Sequence, residues 1–292
     1  MIVPATTSGA HWRMQWAIDV YAGPSLTALT PVATHGRPAL TGRDATDIRG
    51  GAVADPFLCR VDDRWFLFFE IWNCDVARGE IAYATSADGV SWRYEQVVLR
   101  EAFHLSYPQV VAWNGHIYMI PETRQDDAVH LYVAEAFPHR WRRIETLLSG
   151  AFADATVVRH DDRWWMFAQR GLDEMQLFSS PRLDGGWTPH PSSPLFPGNR
   201  TRTRPGGRIL EEDGRLIRPA QDGWPTYGHC LRAFEIQSLT ETEYRERELD
   251  ESPLFRASRS GWNAVAMHHL DAVRRADGSW LAVVDGATPG LF

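Results

Sequence analysis

The stretch ADPFLCRVDDRWFLFFE, residues 54–70, begins and ends near a carboxylate, with mostly apolar residues between. Asp55 and Glu70 have counterparts farther along the chain in Glu122 and Asp154, which occupy corresponding places in similar stretches. Carboxyl groups gathered in one place repel one another, so one keeps its proton while another ionises. That division suits glycosyl chemistry, in which a protonated acid donates to the leaving oxygen and a carboxylate acts as base or nucleophile. On this reading Asp55 is the candidate base or nucleophile, Glu122 the leading candidate acid and Asp154 the alternate. Candidate substrate-binding groups are Glu70, His104, Tyr107, Arg204, Arg218, Gln221, Asp222, His268 and His269, with Gln169, Asp271 and Asp285 close by. Tyr107, Trp72 and Trp224 are the aromatic rings expected to stack on sugar faces. The competing expectation for each acid is structural: it hydrogen-bonds backbone amides of a neighbouring element.

Groups so far apart in sequence need a scaffold that returns them to one place. Five segments share one plan: ADPFLCRVDDRWFLFFE, SYPQVVAWNGHIYMIPE, ADATVVRHDDRWWMFAQ, PGGRILEEDGRLIRPAQ and HLDAVRRADGSWLAVVD. Each is an apolar run, a turn and a second apolar run, with 15 positions from its second residue to its last. The midpoints fall on Asp62-Asp63, Asn114-Gly115, Asp161-Asp162, Asp213-Gly214 and Asp277-Gly278, the dipeptides of tight hairpin turns. The register predicts that Asp55 faces Glu70, and likewise Tyr107 with Glu122, Asp154 with Gln169, Gly206 with Gln221 and Leu270 with Asp285.

A second hairpin follows each of the first four units, and the fifth finds its partner in residues 16–32. The fold class is therefore all-β: a five-bladed β-propeller with four-stranded blades, its last blade closed by an N-terminal hairpin. Residues 1–15 form an N-terminal extension and 16–292 a single propeller, with inner hairpins near 54–70, 106–122, 153–169, 205–221 and 269–285. The open ends of these hairpins are expected to share one mouth of the central channel.

Composition narrows the function. All 30 basic residues are arginine, the net charge is −7, and no basic block marks a nucleic-acid surface. No 18-residue apolar span and no leader-like start is present, and Cys59, Cys74 and Cys230 fit neither a disulfide framework nor a zinc site, so a cytoplasmic setting is expected. No cofactor and no metal is expected, although His104, His268 and His269 are the residues that would hold one. The arginine-rich loop PGNRTRTRPGG, residues 197–207, is a candidate anion clamp. The expected partner is a small-molecule or glycoconjugate ligand, and the oligomeric state is open.

The motifs ADPFL, FHLSYPQV, YMIPET, LYVAEAFPHRW, HPSSPL and RPAQD, with the lead-in RPALTGRDATDIRGGAVADPF, occur in an order that resembles the N-terminal propeller domain of plant glucosamine inositolphosphorylceramide transferases. The resemblance spans roughly residues 16–285. It implies a carbohydrate or glycoconjugate ligand, and a distant similarity to the propellers of arabinanase- and invertase-type glycoside hydrolases. In that wider group a blade-one Asp acts as base or nucleophile, the place that Asp55 matches by motif. The pattern departs at Tyr107, where those hydrolases often carry an Asp, and at Gln169, which is not a Glu. The resemblance is to the propeller alone, so the transferase activity of the plant proteins is not expected from it. Two other readings stay open: a non-catalytic module that presents a sugar or nucleotide-sugar to a partner enzyme, and an acid–base tailoring enzyme, such as a cyclase, acting on a non-sugar intermediate.

Overall fold

The computed structural model describes residues 14–32 and 37–290, and it is a five-bladed propeller. The expected N-terminal extension falls largely outside the described residues; its last two positions, Met14 and Gln15, already belong to a strand. Blade one runs outward through Gly50–Val61, Arg64–Asn73, Arg78–Ser86 and Arg93–Leu99. Blade two comprises Ser106–Trp113, His116–Glu122, Ala128–Ala136 and Arg140–Ser149, and blade three Phe152–His160, Arg163–Arg170, Glu174–Ser180 and Thr188–Pro189. In blade four the innermost strand is interrupted, as Arg204–Pro205 and Leu210–Glu212, before Arg215–Asp222, Cys230–Leu239 and Tyr244–Glu248. Blade five begins with Leu270–Arg274 and Trp280–Pro289 and is completed by Met14–Gly23 and Thr30–Pro31. That N-terminal strand pairs with Trp280–Pro289 over its whole length, from Met14 opposite Pro289 to Gly23 opposite Trp280.

The core lies in five seams, one between each pair of neighbouring blades. Arg64–Asn73 shows how one strand serves two of them. Trp65, Leu67, Phe69 and Ile71 pack toward blade five, against Ile18, Val20, Leu281 and Val283. Phe66 and Phe68 point the other way, into the seam with Met119, Tyr132 and Trp141 of blade two. Strand side chains alternate between faces, and both faces here are covered, so the strand reads as an unbroken apolar run.

The hairpin turns explain the register near the tips. Val61 pairs with Arg64, Trp113 with His116, His160 with Arg163 and Glu212 with Arg215, each closing a two-residue turn on the anticipated dipeptide. Blade five differs: Arg274 pairs with Trp280 across a longer loop, so Leu270 faces Val284 and not Asp285.

The open ends carry a second correction. Ala54, not Asp55, faces Glu70; Ser106, not Tyr107, faces Glu122; Ala153, not Asp154, faces Gln169. In blade four Arg204 faces Gln221. In blades one to three the cause is a β-bulge at the same place, and the residue at it takes a left-handed conformation: Asp55 at φ 52°, Tyr107 at 48° and Asp154 at 50°. Such a conformation costs a non-glycine residue roughly 1–2 kcal/mol. It persists only where neighbours hold it.

Candidate active site

For Asp55 and Asp154 those neighbours are the acids at the ends of the preceding blades. Asp285 of blade five accepts the backbone N–H of Asp55 at 3.1 Å, and Glu122 of blade two accepts that of Asp154 at 3.1 Å. The carboxylate that closes one hairpin thus pins the bulge that opens the next blade. The structural role anticipated for these acids is real, and Asp285 fills it completely. It also accepts the backbone N–H groups of His268 and His269 at 3.2 and 3.0 Å, and the Nδ1–H of His268 lies 2.8 Å from its Oδ2.

Above the pinned bulges the channel opens into a cavity of about 210 Å³. Its walls include Asp55, Glu70, His104, Glu122, Arg204 and His268, with Trp16, Trp72 and Tyr227 supplying aromatic surface and Arg124 standing at the edge. Trp16 stacks on His268 with ring centroids 4.2 Å apart, and Tyr227 meets His268 edge-on at 5.0 Å. The Arg204 guanidinium lies 5.4 Å from the centre of the Tyr227 ring.

The five carboxyls divide by depth. Side chains of Asp55, Glu70 and Glu122 are 8%, 16% and 11% exposed, whereas those of Asp154 and Asp285 are 1% and 0%. The two at the back are ionised. Burial alone would raise Asp154, but the charge and hydrogen bond of Arg204, 2.6 Å away, bring it below the ordinary carboxylate value. Asp285 is likewise held low against its burial by His268. The three in front are all pushed up. Burial and then the charges of Asp154 and Asp285 raise Asp55 well above its ordinary value. Burial, then Asp55 and Glu122, do the same to Glu70. Burial and the Asp154 charge lift Glu122 to about 8, against the pull of Arg204. The arrangement therefore keeps fixed negative charge behind and exchangeable protons in front.

The histidines have assigned roles. His104 Nδ1 accepts the N–H of Gly79 at 2.9 Å, which places its proton on Nε2, 3.4 Å from Glu70 Oε1. Burial, and then Arg204, bring His104 down to about 4, so the ring is neutral. Gly79 is required here, because a Cβ would press into the Leu105 carbonyl oxygen and stand 2.6 Å from Glu70 Oε1. His269 is buried behind the wall and also falls to about 4, chiefly through burial. Its Nε2–H donates to the Pro56 carbonyl at 3.0 Å, and its bare Nδ1 looks at Asp55 Oδ1 from 3.6 Å.

Other anticipated residues lie beneath or away from the cavity. Tyr107 forms the floor below it. Gly207 N–H donates to its hydroxyl at 2.8 Å; because the Thr156 hydroxyl donates to the Asp154 carbonyl, Tyr107 is the donor in its 2.7 Å bond with Thr156. Gln221 Nε2 supports Asp154 from below at 2.6 Å. Arg218 does not reach the mouth: it makes a two-pronged pair with Glu246 at 2.7 Å, deep in blade four. Asp222 is engaged by Arg232 at 2.8 Å. Both stand an odd number of positions from Gln221 on one strand, and so on its opposite face. Gln169 turns its amide to the Leu172 carbonyl at 3.0 Å. Trp224 is 57% exposed, with Arg200 lying 5.9 Å from its ring.

The arginine-rich loop is not an open clamp. Arg202 is paired with Glu246 and Arg204 with Asp154, each at 2.6 Å. Just beyond the loop, Arg208 crosses the channel to Asp271 at 2.9 Å and to the carbonyls of Val110 and Leu58. Sequence reading missed Trp16, Tyr227 and Arg124. Only Arg124 carried a signal, standing two positions beyond Glu122. Asp55, His268 and Asp285 place ligand atoms within 4.8 Å of one another, the closest approach to a cation site among the described residues. Asp285 already accepts three backbone N–H groups and faces His268, so a cation there would compete with bonds that pin blade one.

Residues 13–287 match the family model described as glucosamine inositolphosphorylceramide transferase 1, N-terminal. The transferase of that name from Oryza sativa subsp. japonica is 35% identical over 300 residues, covering 93% of this chain and 40% of the relative. The Arabidopsis thaliana protein of the same name is 33% identical over 297 residues, covering 93% and 39%. The chain therefore spans about two fifths of the length of these curated relatives. Among solved structures it is similar to the catalytic domain of the Coprinopsis cinerea GH62 alpha-L-arabinofuranosidase, with TM-score 0.63 at 14% identity, covering 94% and 97% of the two chains. It is also similar to the GH43 protein BlXynB from Bacillus licheniformis, with TM-score 0.61 at 15% identity, covering 81% and 52%. At these identities the likeness is one of fold.

Proposed function

The chain belongs to the glucosamine inositolphosphorylceramide transferase 1 N-terminal family, and from that premise we propose that its channel mouth is a carbohydrate-active site that cleaves or transfers a glycosyl group. The observation that carries this reading is the division of the five carboxyls, with proton-bearing groups lining the cavity and ionised ones behind it. Glu122 holds a proton at neutral pH. It gives that proton to the leaving oxygen as the glycosidic C–O bond breaks, and Asp154 and Arg204 set its affinity for the proton. Asp55, once ionised, is a strong base for its kind because its pKa is raised; it takes the proton of the incoming hydroxyl or attacks the sugar itself. Trp16, Trp72 and Tyr227 offer faces against which a sugar ring stacks, and Glu70 with His104 offers hydrogen bonds to its hydroxyls. Names of the relatives and the fold shared with glycoside hydrolases support the substrate class.

The test is a screen of glycosides and nucleotide sugars for turnover, repeated with Asp55→Asn and Glu122→Gln. Loss of turnover in both with ligand affinity retained supports the reading, while undiminished turnover in Glu122→Gln removes it. A second reading, a binding module without turnover, is favoured by one observation: Gln169 stands in the blade-three place where the resemblance would put a Glu, and its amide is committed to backbone. Under that reading a sugar raises the melting temperature and no substrate is consumed.

A further inference from the structure

Three histidines stand at or just behind the channel mouth, and their ring nitrogens are committed differently. His104 Nδ1 accepts the Gly79 N–H, which leaves a proton on Nε2. His269 gives its Nε2–H to the Pro56 carbonyl, and its Nδ1 is sealed from solvent. His268 reverses both patterns. Its Nδ1 lies 2.8 Å from Asp285, a carboxylate that three backbone N–H groups already hold in place. Asp285 is ionised and can only accept, so Nδ1 is the donor and the neutral ring carries its lone pair on Nε2. No described residue takes up that nitrogen, and it is not sealed, because His268 forms part of the cavity wall.

The ring is also clamped. Trp16 stacks on it with centroids 4.2 Å apart and planes 23° apart, and Tyr227 meets it at 90°. Turning the ring over would break its bond to Asp285, so the lone pair keeps its aim. A ring nitrogen of His268 and carboxyl oxygens of Asp55 and Asp285 lie within 4.8 Å of one another, which sets the ring beside Asp55. An imidazole tied through Nδ1 to a buried carboxylate, with Nε2 open on a cavity, is the arrangement of a general base. The carboxylate fixes the tautomer and stabilises the imidazolium that forms when a proton arrives.

We propose that His268, oriented by Asp285, is the base that takes the proton of the incoming hydroxyl, so that Asp55 acts as the nucleophile. This assignment rests on the glycosyl chemistry proposed above and separates the two roles left there to Asp55. In the first step an Asp55 carboxylate oxygen bonds to the sugar carbon while the bond to the leaving oxygen breaks, and that oxygen takes the Glu122 proton. In the second the incoming hydroxyl oxygen bonds to the carbon, Asp55 departs as a carboxylate, and the hydroxyl proton passes to His268 Nε2. The imidazolium, offset by the charge of Asp285, sheds that proton to water at the open mouth, where Glu122 regains one.

The experiment uses His268→Asn, whose amide keeps a donor where Nδ1 stood and has nothing in the place of Nε2, together with His268→Gly. Melting curves establish that each variant is folded. On a glycoside or nucleotide sugar that the parent turns over, His268→Asn is expected to lose kcat about 10²- to 10⁴-fold with KM unchanged or lower. Imidazole added to the buffer is expected to restore His268→Gly at least about tenfold and to leave Asp55→Asn unchanged. Intact-protein mass is expected to show a glycosyl adduct on His268→Asn during turnover and none on Asp55→Asn. Turnover by His268→Asn within about threefold of the parent overturns the base while the glycosyl reading stands. A loss confined to a higher KM, or one that imidazole does not relieve, does the same. If the variants do not fold, the imidazole ¹⁵N shifts of the parent decide: a lone pair on Nε2 that bound sugar perturbs supports the base, and a neutral ring with its proton on Nε2 overturns it. A parent that turns over no glycoside or nucleotide sugar removes the glycosyl reading and the base role with it.

Discussion

Glu122 accepts the backbone N–H of Asp154 and shares Arg204 with that residue's carboxylate, yet the two carboxyls hold their protons oppositely. Arg204 lies 2.6 Å from Asp154 and 3.7 Å from Glu122. The nearer carboxyl takes the ion pair and ionises; the farther one feels that negative charge and rises to about 8. A difference of about one ångström in the placement of one guanidinium is enough to separate the two roles, because both groups are shielded from water.

Asp154→Asn removes the charge that lifts Glu122. The Glu122 pKa is then expected to fall from about 8, by one unit or more, and the alkaline limb of any activity to move down with it. Carboxyl chemical shifts in a pH titration read this directly, and an unmoved Glu122 would break the link between the two residues.

Glu122→Gln keeps the shape of the site and removes its proton donor. Turnover of a glycoside with a poor leaving group is expected to drop about 10²- to 10⁴-fold, with ligand affinity changed far less. Steady-state kinetics beside calorimetry separates the two.

Stability should fall as the solution becomes alkaline. The folded-state pKa values of Asp55, Glu70 and Glu122 lie above their unfolded ones, so the folded chain binds more protons between them. Their contribution is complete below the unfolded pKa and is lost as pH rises, for Glu122 between its ordinary 4.5 and about 8. Asp154 and Asp285 act oppositely, losing their contribution as pH falls below the ordinary 3.8. Thermal melts are expected to peak at mildly acidic pH. Glu122→Gln should melt higher than the parent at pH 8 and not at pH 4.

Tyr107→Phe strips the hydroxyl that receives Gly207 N–H and donates to Thr156. A buried amide is left without a partner, at a cost of about 1–3 kcal/mol. Denaturant titration measures the loss. Sugar affinity is expected to hold within about twofold, since this hydroxyl sits under the floor; a larger loss of affinity than of stability would return Tyr107 to the binding surface.

Gly79→Ala meets the Leu105 carbonyl and the Glu70–His104 pair at once. The expected cost is about 1–3 kcal/mol, accompanied by weaker ligand binding because Glu70 and His104 must both shift. Melting and calorimetry on one preparation test the two together.

Much of the ring was legible in the chain because its information is local. Asn114-Gly115 and Asp213-Gly214 fix their own turns, with φ of 49° and 76°, and 51° and 78°, whatever surrounds them. The apolar runs announce two covered faces by themselves. Asp55, Tyr107 and Asp154 were correctly placed near the open ends, but the bulge under each depends on a carboxylate or a neighbour from another blade, and no local pattern marks it. Arg204 and Arg218 look alike in sequence. One faces the axis and the other an outer seam, because of where each strand lies in the sheet and which face the residue occupies. Trp16 and Tyr227 reach the cavity from the closing strand and from a loop between two strands of blade four, and nothing in either short segment encodes a destination that distant parts of the chain create.

Trp16 rides on the strand that zips the last blade to the first part of the chain, and it forms part of the cavity wall. The pocket is therefore unfinished until the circle is fastened, and whatever occupies it acts as a clasp on that fastening. Occupancy and closure stabilise one another, so a tightly held ligand should slow the peeling of residues 14–23 from their seam more than it slows exchange elsewhere in the ring.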